Sequence, residues 1–374
     1  MSTPSLDALR EAIPRSCFDR STLGSFAYLL RDVIYAALLV YLAVKIDFIP
    51  VRSVRVAAWI IYGVLQGFVG TGLWIIGHEC GHAAFSPSTI INNTTGWLVH
   101  SSLMVPYFSW KITHARHHRY TGHMEKDVVF VPRLHQEGKP PSRFTHLFHL
   151  AEDTPAYTLL HLLGHQLMGW QIYLLFNITA GKNSLPKNGN RRQLLPNESH
   201  FDPSSALFTP SQRGQIMLSD LGLVVMASLL WRLGSAIGFG RVALLYGMPY
   251  LWVHHWLVAI TYLHHTHPFV PHLSETAWSF TEGALCTVDR NFGFVGRHFF
   301  HEIIDYHVVH HLFPKIPFYK AEEATRAIMP LLGPLYRQEK QRSFLGSLYS
   351  TYRACDSAAD ADGSGVVQWV LSKQ

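Results

Sequence analysis

Of the 374 residues, 48% are hydrophobic and only 15% are charged, against a usual charged share of about 25%. Ten Trp, 16 Tyr and 22 Phe suit a membrane protein with aromatic belts at the interfaces. The net charge of +6 fits an anionic cytosolic leaflet, but no basic face gathers it, which argues against a nucleic-acid partner. Cys17, Cys80, Cys286 and Cys355 lie too far apart for a disulfide framework or a thiolate metal site. They fit a reducing cytosolic environment.

Residues 1–25 read as a cytosolic arm with a short helix at Ser5–Ala12. Met1–Arg20 is polar and carries Pro4 and Pro14, unlike a cleavable signal peptide. Tyr28–Ile49 is the first candidate span. Its uncharged part, Val33–Val44, is short, so Arg31, Asp32, Lys45 and Asp47 must reach the interface. After the turn Pro50–Arg55, Val56–Gly77 runs without a charge. It gives about 33 Å of helix at about 1.5 Å per residue, enough for a core of about 30 Å.

That span leads directly into His78-Glu79-Cys80-Gly81-His82, with histidines at i and i+4. Phe85–Trp110, broken by Pro87, Asn92, Asn93 and Pro106, ends before His114-Ala115-Arg116-His117-His118. If the two boxes share a site, this segment lies in the interface or dips in and returns. Residues 119–155 read as a polar cytosolic connection.

Three apolar runs follow: Ala156–Ala180, Ile216–Ile237 and Val242–Tyr262. A third box, His307-Val308-Val309-His310-His311, must face the same side as the second. The number of crossings between them is therefore even. The loop Gly181–Gln193, with Lys182, Lys187, Arg191 and Arg192, belongs in the cytosol. Ala156–Ala180, carrying His161 and His165, is then interfacial or re-entrant, and the later two runs form a hairpin turning at Gly238-Phe239-Gly240. Asp220 and Arg232 should lie near span ends or be paired. The expected architecture is all-α and integral to a membrane: four transmembrane helices, interfacial helices, and a cytosolic helical cap, with both termini cytosolic. The domain proper covers 26–340 and a cytosolic tail 341–374. The sequons at Asn92, Asn93, Asn177 and Asn197 should stay unglycosylated.

Histidines at i, i+3 and i+4 share one helix face. His78, His82, His114, His117, His118, His307, His310 and His311 make eight imidazoles beside apolar segments. A tetrahedral zinc takes four ligands, so eight suffice for two ions. Within Thr261–Pro268, His265, then His267, is the favoured ninth ligand. His254 and His255 suit packing or a substrate path. Asp127, Asp289, Glu302 and Asp305 are acids placed to hydrogen-bond ligating imidazoles, and Glu79 can do the same. Cys80 reads as a buried filler.

His78-Glu79-Cys80-Gly81-His82 also matches the zinc-protease pattern, but that reading leaves boxes two and three without a role. A histidine-rich metal transporter would need ionisable residues lining a path inside several spans, whereas these boxes sit at span ends. All-imidazole coordination admits zinc, copper or iron. Two redox metals beside a bilayer point to oxidation of a hydrocarbon. An unactivated C–H bond offers no acid–base handle, so the metals carry the hard chemistry and an apolar tunnel positions the chain.

The three boxes, in this order and spacing, resemble the membrane fatty acid desaturase family. Val105-Pro106-Tyr107-Phe108-Ser109-Trp110-Lys111, Asp127-Val128-Val129-Phe130-Val131-Pro132 and His311-Leu312-Phe313-Pro314 are similar to its acyl-lipid delta-12 (oleate) and omega-3 subgroup. So are Ala12-Ile13-Pro14 with Cys17-Phe18, and Glu323-Ala324-Thr325 through Pro330-Leu331-Leu332-Gly333. Phe201–Ser205 to Ser219–Gly222 is similar to the fungal branch.

The resemblance implies an oxygen-dependent enzyme with two iron ions, multi-pass in the endoplasmic reticulum membrane. The eight box histidines would serve as ligands. It implies substrates esterified in phospholipid and electrons from cytochrome b5 and its NADH reductase. No His-Pro-Gly-Gly haem motif occurs in the chain, so the donor is a separate protein. The expected reaction is a cis double bond introduced into an unsaturated 18-carbon chain, at the delta-12 or omega-3 position. Hydroxylases, acetylenases and epoxygenases sharing these boxes are the alternative. Ala83 stands where many plant relatives have a further histidine, and the N-terminal arm is shorter than in many fungal ones.

Overall fold

The computed structural model describes residues 3–135, 154–185 and 198–371. Lys187, Arg191, Arg192 and Asn197 lie outside the described residues. Helix α1 (Leu6–Ala12) is capped by the Ser5 hydroxyl, which accepts from the Ala8 N–H. Helix α2 (Thr22–Ala43) is capped in the same way by Ser21. Helix α3 (Arg52–Gly81) is the central element and packs against α2, against α4 (Thr89–Ser102) and against the later helix that precedes the cap. Small residues permit this closeness. A Cβ on Gly67 would fall 2.3 Å from the Trp252 Cβ, and one on Gly77 2.1 Å from the His100 ring.

Helix α4 runs back along α3. His100 meets the Trp74 carbonyl, and Leu103 reaches Gly70. Met104 adopts a left-handed conformation (φ 54°), and the chain returns as α5 (Tyr107–Tyr120), which carries box two. The chain thus reverses direction within 85–110, and the box-two helix starts inside that stretch.

Helix α6 (Pro155–Phe176) contains no charged residue. Helix α7 (Arg213–Ile237) is followed at Gly238 (φ 93°) by α8 (Phe239–Val242), a π-helical turn Ala243–Gly247, and α9 (Met248–His265). Among the described residues, Arg52–Gly81 and Pro210–Ile237 are long and apolar enough to cross a membrane. Asp220 is the eighth and Arg232 the twentieth of the 25 residues of α7, so Asp220 stands two turns inside it. The other two expected spans also form helices, but α2 contains Arg31 and Asp32, and α9 contains four histidines. Asp32 does not reach an interface. It is buried and bonds Arg31 and His301, at 2.8 Å and 2.7 Å. The outer faces are apolar: Met217, Leu221, Val224, Leu229 and Trp231 on α7, and Leu159, Leu160, Leu163 and Leu167 on α6, are exposed.

The cap contains α10 (Phe280–Ala284), α11 (Gly293–His298), α12 (His307–Leu312), α13 (Phe318–Leu332) and α14 (Phe344–Ala354). It is not wholly helical, which corrects the expectation of a helical cap. Strands β1 (Arg133–Leu134), β2 (His272–Leu273), β5 (Ser357–Ala359) and β6 (Val366–Trp369) form one sheet in the order β1-β5-β6-β2. Strands β3 (Asp289–Arg290) and β4 (Gln338–Glu339) pair separately. Such short strands leave no alternating signal in a sequence, and Arg133 pairs with Ser357, far along the chain.

Candidate metal centre

Box one ends α3, box two lies on α5, and box three is α12 itself. Their imidazoles gather in two groups. His78, His82, His114, His118 and His310 place one nitrogen each within 4.8 Å of one another, as do His117, His265 and His311. His307 joins the second group, with its Nε2 3.3 Å from His265 Nε2 and 3.1 Å from His311 Nε2. His117 Nε2 lies 3.3 Å from His265 Nε2. In the first group the pairs His78–His82 and His114–His118 stand 3.2 Å and 3.1 Å apart, Nε2 to Nε2.

These spacings fit metal coordination. With a metal–nitrogen bond of about 2.1 Å, adjacent ligand atoms are about 3.0 Å apart in an octahedron and about 3.4 Å in a tetrahedron. Burial and neighbouring imidazoles hold His114, His118, His310 and His311 well below their ordinary pKa. They are therefore neutral and keep a lone pair for a metal. The allocation follows the helix. About 100° per residue sets i and i+4 about 40° apart and turns i+3 to the other flank. Box two sends His114 and His118 to the first group and His117 to the second. Box three does the reverse, with His310 in the first and His307 and His311 in the second.

Hydrogen bonds at Nδ1 fix several rings. His117 Nδ1 donates to Asp127 Oδ1 at 2.8 Å, and the same oxygen accepts from the Val129 N–H. His311 Nδ1 donates to the Thr121 hydroxyl at 3.0 Å, which in turn donates to the His117 carbonyl at 2.7 Å. These bonds leave Nε2 of each ring unprotonated, as a ligand requires. Asp289 Oδ1 accepts from the Val308 N–H at 2.8 Å and so caps α12. Glu79 Oε2 accepts from the Phe318 N–H at 3.0 Å, capping α13, and Oε1 lies 3.5 Å from His78 Nδ1. A carboxylate held this way is not aimed at a water, as a protease base would be.

Asp305 is buried and approaches Arg297 at 4.0 Å. Glu302 is half-buried in a left-handed conformation (φ 61°). Among the described residues, neither bonds a clustered histidine. His267 stays outside the groups, 3.7 Å from Glu339. His254 bonds Gln171, and His255 packs on Trp252 and Trp256. Cys80 is a buried filler beside Ile76, Phe85 and Tyr107. Sequence reasoning missed Thr121, the Asp32–His301 pair, and His264, whose ring stacks on His307 at 4.3 Å. Thr121 is three residues after His118, and that spacing was the available clue.

Above both groups lies a cavity of about 650 Å³. His78, His114, His117, His265, His307 and His311 line it together with Ile75, Leu257, Ile260, Trp74 and Trp170. That volume falls within the usual range for a small-molecule site.

Apolar helices closing such a cavity over two imidazole clusters define a helical protein with a histidine-rich metal-binding site. The chain belongs to the fatty acid desaturase family, whose model matches residues 56–342, and it is an oxidoreductase. It is 46% identical to an oleate hydroxylase of Claviceps purpurea, covering 96% of this chain and 79% of that protein. A delta-12 fatty acid desaturase of Mortierella isabellina is 40% identical over 94% of this chain and 87% of its own length. For a delta-12 oleate desaturase of Trichosanthes kirilowii the figures are 39%, 98% and 95%.

Proposed function

We propose that this protein oxidises an oleoyl chain esterified in a membrane lipid, introducing a cis double bond at the delta-12 position. The supporting observation is the pairing of two imidazole groups with an apolar cavity that reaches both. His78, His82, His114, His118 and His310 would hold one iron, and His117, His265, His307 and His311 the other. The irons supply activation of dioxygen, with cytochrome b5 and its NADH reductase as electron source. Asp127 and Thr121 keep the Nε2 lone pairs of His117 and His311 aimed inward. The walls at Ile75, Leu257 and Ile260 hold the chain in register and exclude water. Four spanning helices, with the histidines and both termini on the cytosolic face of the endoplasmic reticulum, would seat this cavity beside the lipid.

Hydroxylation of the same chain is the second reading. It is favoured by the 46% identity to an oleate hydroxylase. Omega-3 desaturation remains the alternative position. One experiment separates all three. The chain is expressed in a yeast that makes oleate but no polyunsaturates, with and without added linoleate, and new acyl chains are identified by mass spectrometry. Linoleate from oleate supports the proposal. A hydroxy-acid, or a product formed only from linoleate, replaces it with the corresponding alternative.

A further inference from the structure

The metal groups account for only part of the cavity. Part of its lining passes onto the outer surface of α6. Leu160, 69% exposed, and His161 and Gly164, also exposed, are all lining residues. The cavity therefore opens through this flank of the protein. The flank has no charged residue from Pro155 to Phe176, and Leu159, Leu163 and Leu167 stand exposed beside the opening. A surface of that kind belongs against lipid rather than water. The opening is kept clear at Gly164, where an added Cβ would meet nothing within 4 Å.

The rim has a different character. His165, one turn beyond His161, packs its ring 5.3 Å from Tyr262 and 5.7 Å from Tyr352. The Gln166 amide donates to His165 Nδ1 at 3.2 Å, which puts the ring proton on Nε2. The rim thus offers an imidazole N–H and two phenol O–H groups, all donors fit for a carbonyl oxygen. Among the described residues lining the cavity there is no Lys or Arg. A neutral ester would find donors there.

We propose that an acyl chain enters sideways from the bilayer beside Gly164, and that His161, His165, Tyr262 and Tyr352 hold its glycerol ester at the mouth. The inference rests on the lipid-linked substrate proposed above, and assigns that substrate a route and a polar anchor. Amphipathic His and Tyr rings suit this place, with an apolar body against the chain and a polar tip at the ester.

The test uses the full-length protein with iron and its electron donors, reconstituted in vesicles of dioleoyl-phosphatidylcholine. Gly164→Trp should lower turnover at least tenfold with bound iron per chain unchanged. Leu160→Trp, at an exposed position, repeats the obstruction should the first variant fail to accumulate. Tyr352→Phe combined with His165→Phe should raise KM several-fold with kcat little changed, the mark of a lost anchor. Wild-type turnover in both tryptophan variants, or equal use of soluble oleoyl-CoA by the wild type, overturns the proposal. A wild-type protein that oxidises neither substrate removes the functional reading itself, which keeps the two failures apart.

Discussion

Asp127 offers the sharpest test of the centre, because it supports one imidazole group and not the other. Its carboxylate is buried, and Oδ1 accepts from both His117 Nδ1 and the Val129 N–H. Replacement by Asn preserves an acceptor and removes the charge. A charge-assisted bond is about twice as strong as a neutral one, and a neutral bond contributes about 1 kcal/mol net. The expected loss is therefore about 1 kcal/mol, or about fivefold in metal affinity. Replacement by Ala removes the acceptor and leaves His117 Nδ1 and the Val129 N–H unpaired. Loss of such a partner typically costs about 10- to 100-fold, or about 1.4–2.7 kcal/mol.

His117 belongs to the second group alone. Chelator competition on purified protein should therefore strip iron in two steps, the first at lower chelator for Asp127→Asn and lower again for Asp127→Ala. The second step, from the five-histidine group, should stay at its wild-type position. Iron analysis after dialysis would then give about one ion per chain for the Ala variant, the loss expected when one site of two is weakened. Equal loss from both sites, or no loss from either, would refute both the allocation of histidines and the orienting role of Asp127.

Further outcomes follow from the same geometry. His310→Ala and His117→Ala should each abolish new acyl product in yeast while immunoblots show near-normal protein, since each removes a donor from a different group. Asp32→Ala should destabilise the fold by about 3–5 kcal/mol, because it leaves the buried His301 without its carboxylate partner; thermal unfolding in detergent should show a clear drop. Burial pushes the Asp289 carboxyl up to about 7, against hydrogen bonds from Tyr336 and the Val308 N–H. A raised carboxyl pKa gives stability that is complete below the unfolded value of 3.8 and is lost as pH rises through about 7. The wild type should thus lose stability as pH rises from about 4 to about 7 and level off above that, the window lying between the two pKa values, and Asp289→Asn should flatten the loss; an unchanged slope in the variant would count against the assignment.

The clustering of the histidine boxes was legible because spacing along a helix is a local property. Each pattern sits within five consecutive residues, and helix geometry alone puts those rings on one face. His265 was preferred as a ninth donor from its place at the end of an apolar run, and it falls between His117 and His307. Asp127 was named among four acids, but nothing in the chain singled it out, since the 2.8 Å bond depends on where the loop after box two folds. Asp32 was misjudged for a related reason. A charge near the end of an apolar run normally reaches for water, yet the turn carrying His301 closes over this one from far along the chain. The short strands of the cap were illegible because their pairing partners lie far apart in sequence.

By itself the sequence determined the donor chemistry, the imidazole count and its position beside apolar helices, because residue type and helical period are enough for those. The tertiary structure alone decided which rings face which group. Box two gives its i, i+4 pair to one cluster and box three gives its pair to the other, so identical motifs play opposite parts. Spacing fixes the angle between neighbouring side chains on one helix, but the direction in which that helix turns them is set by the packing of α3, α5, α9 and α12 around a common cavity.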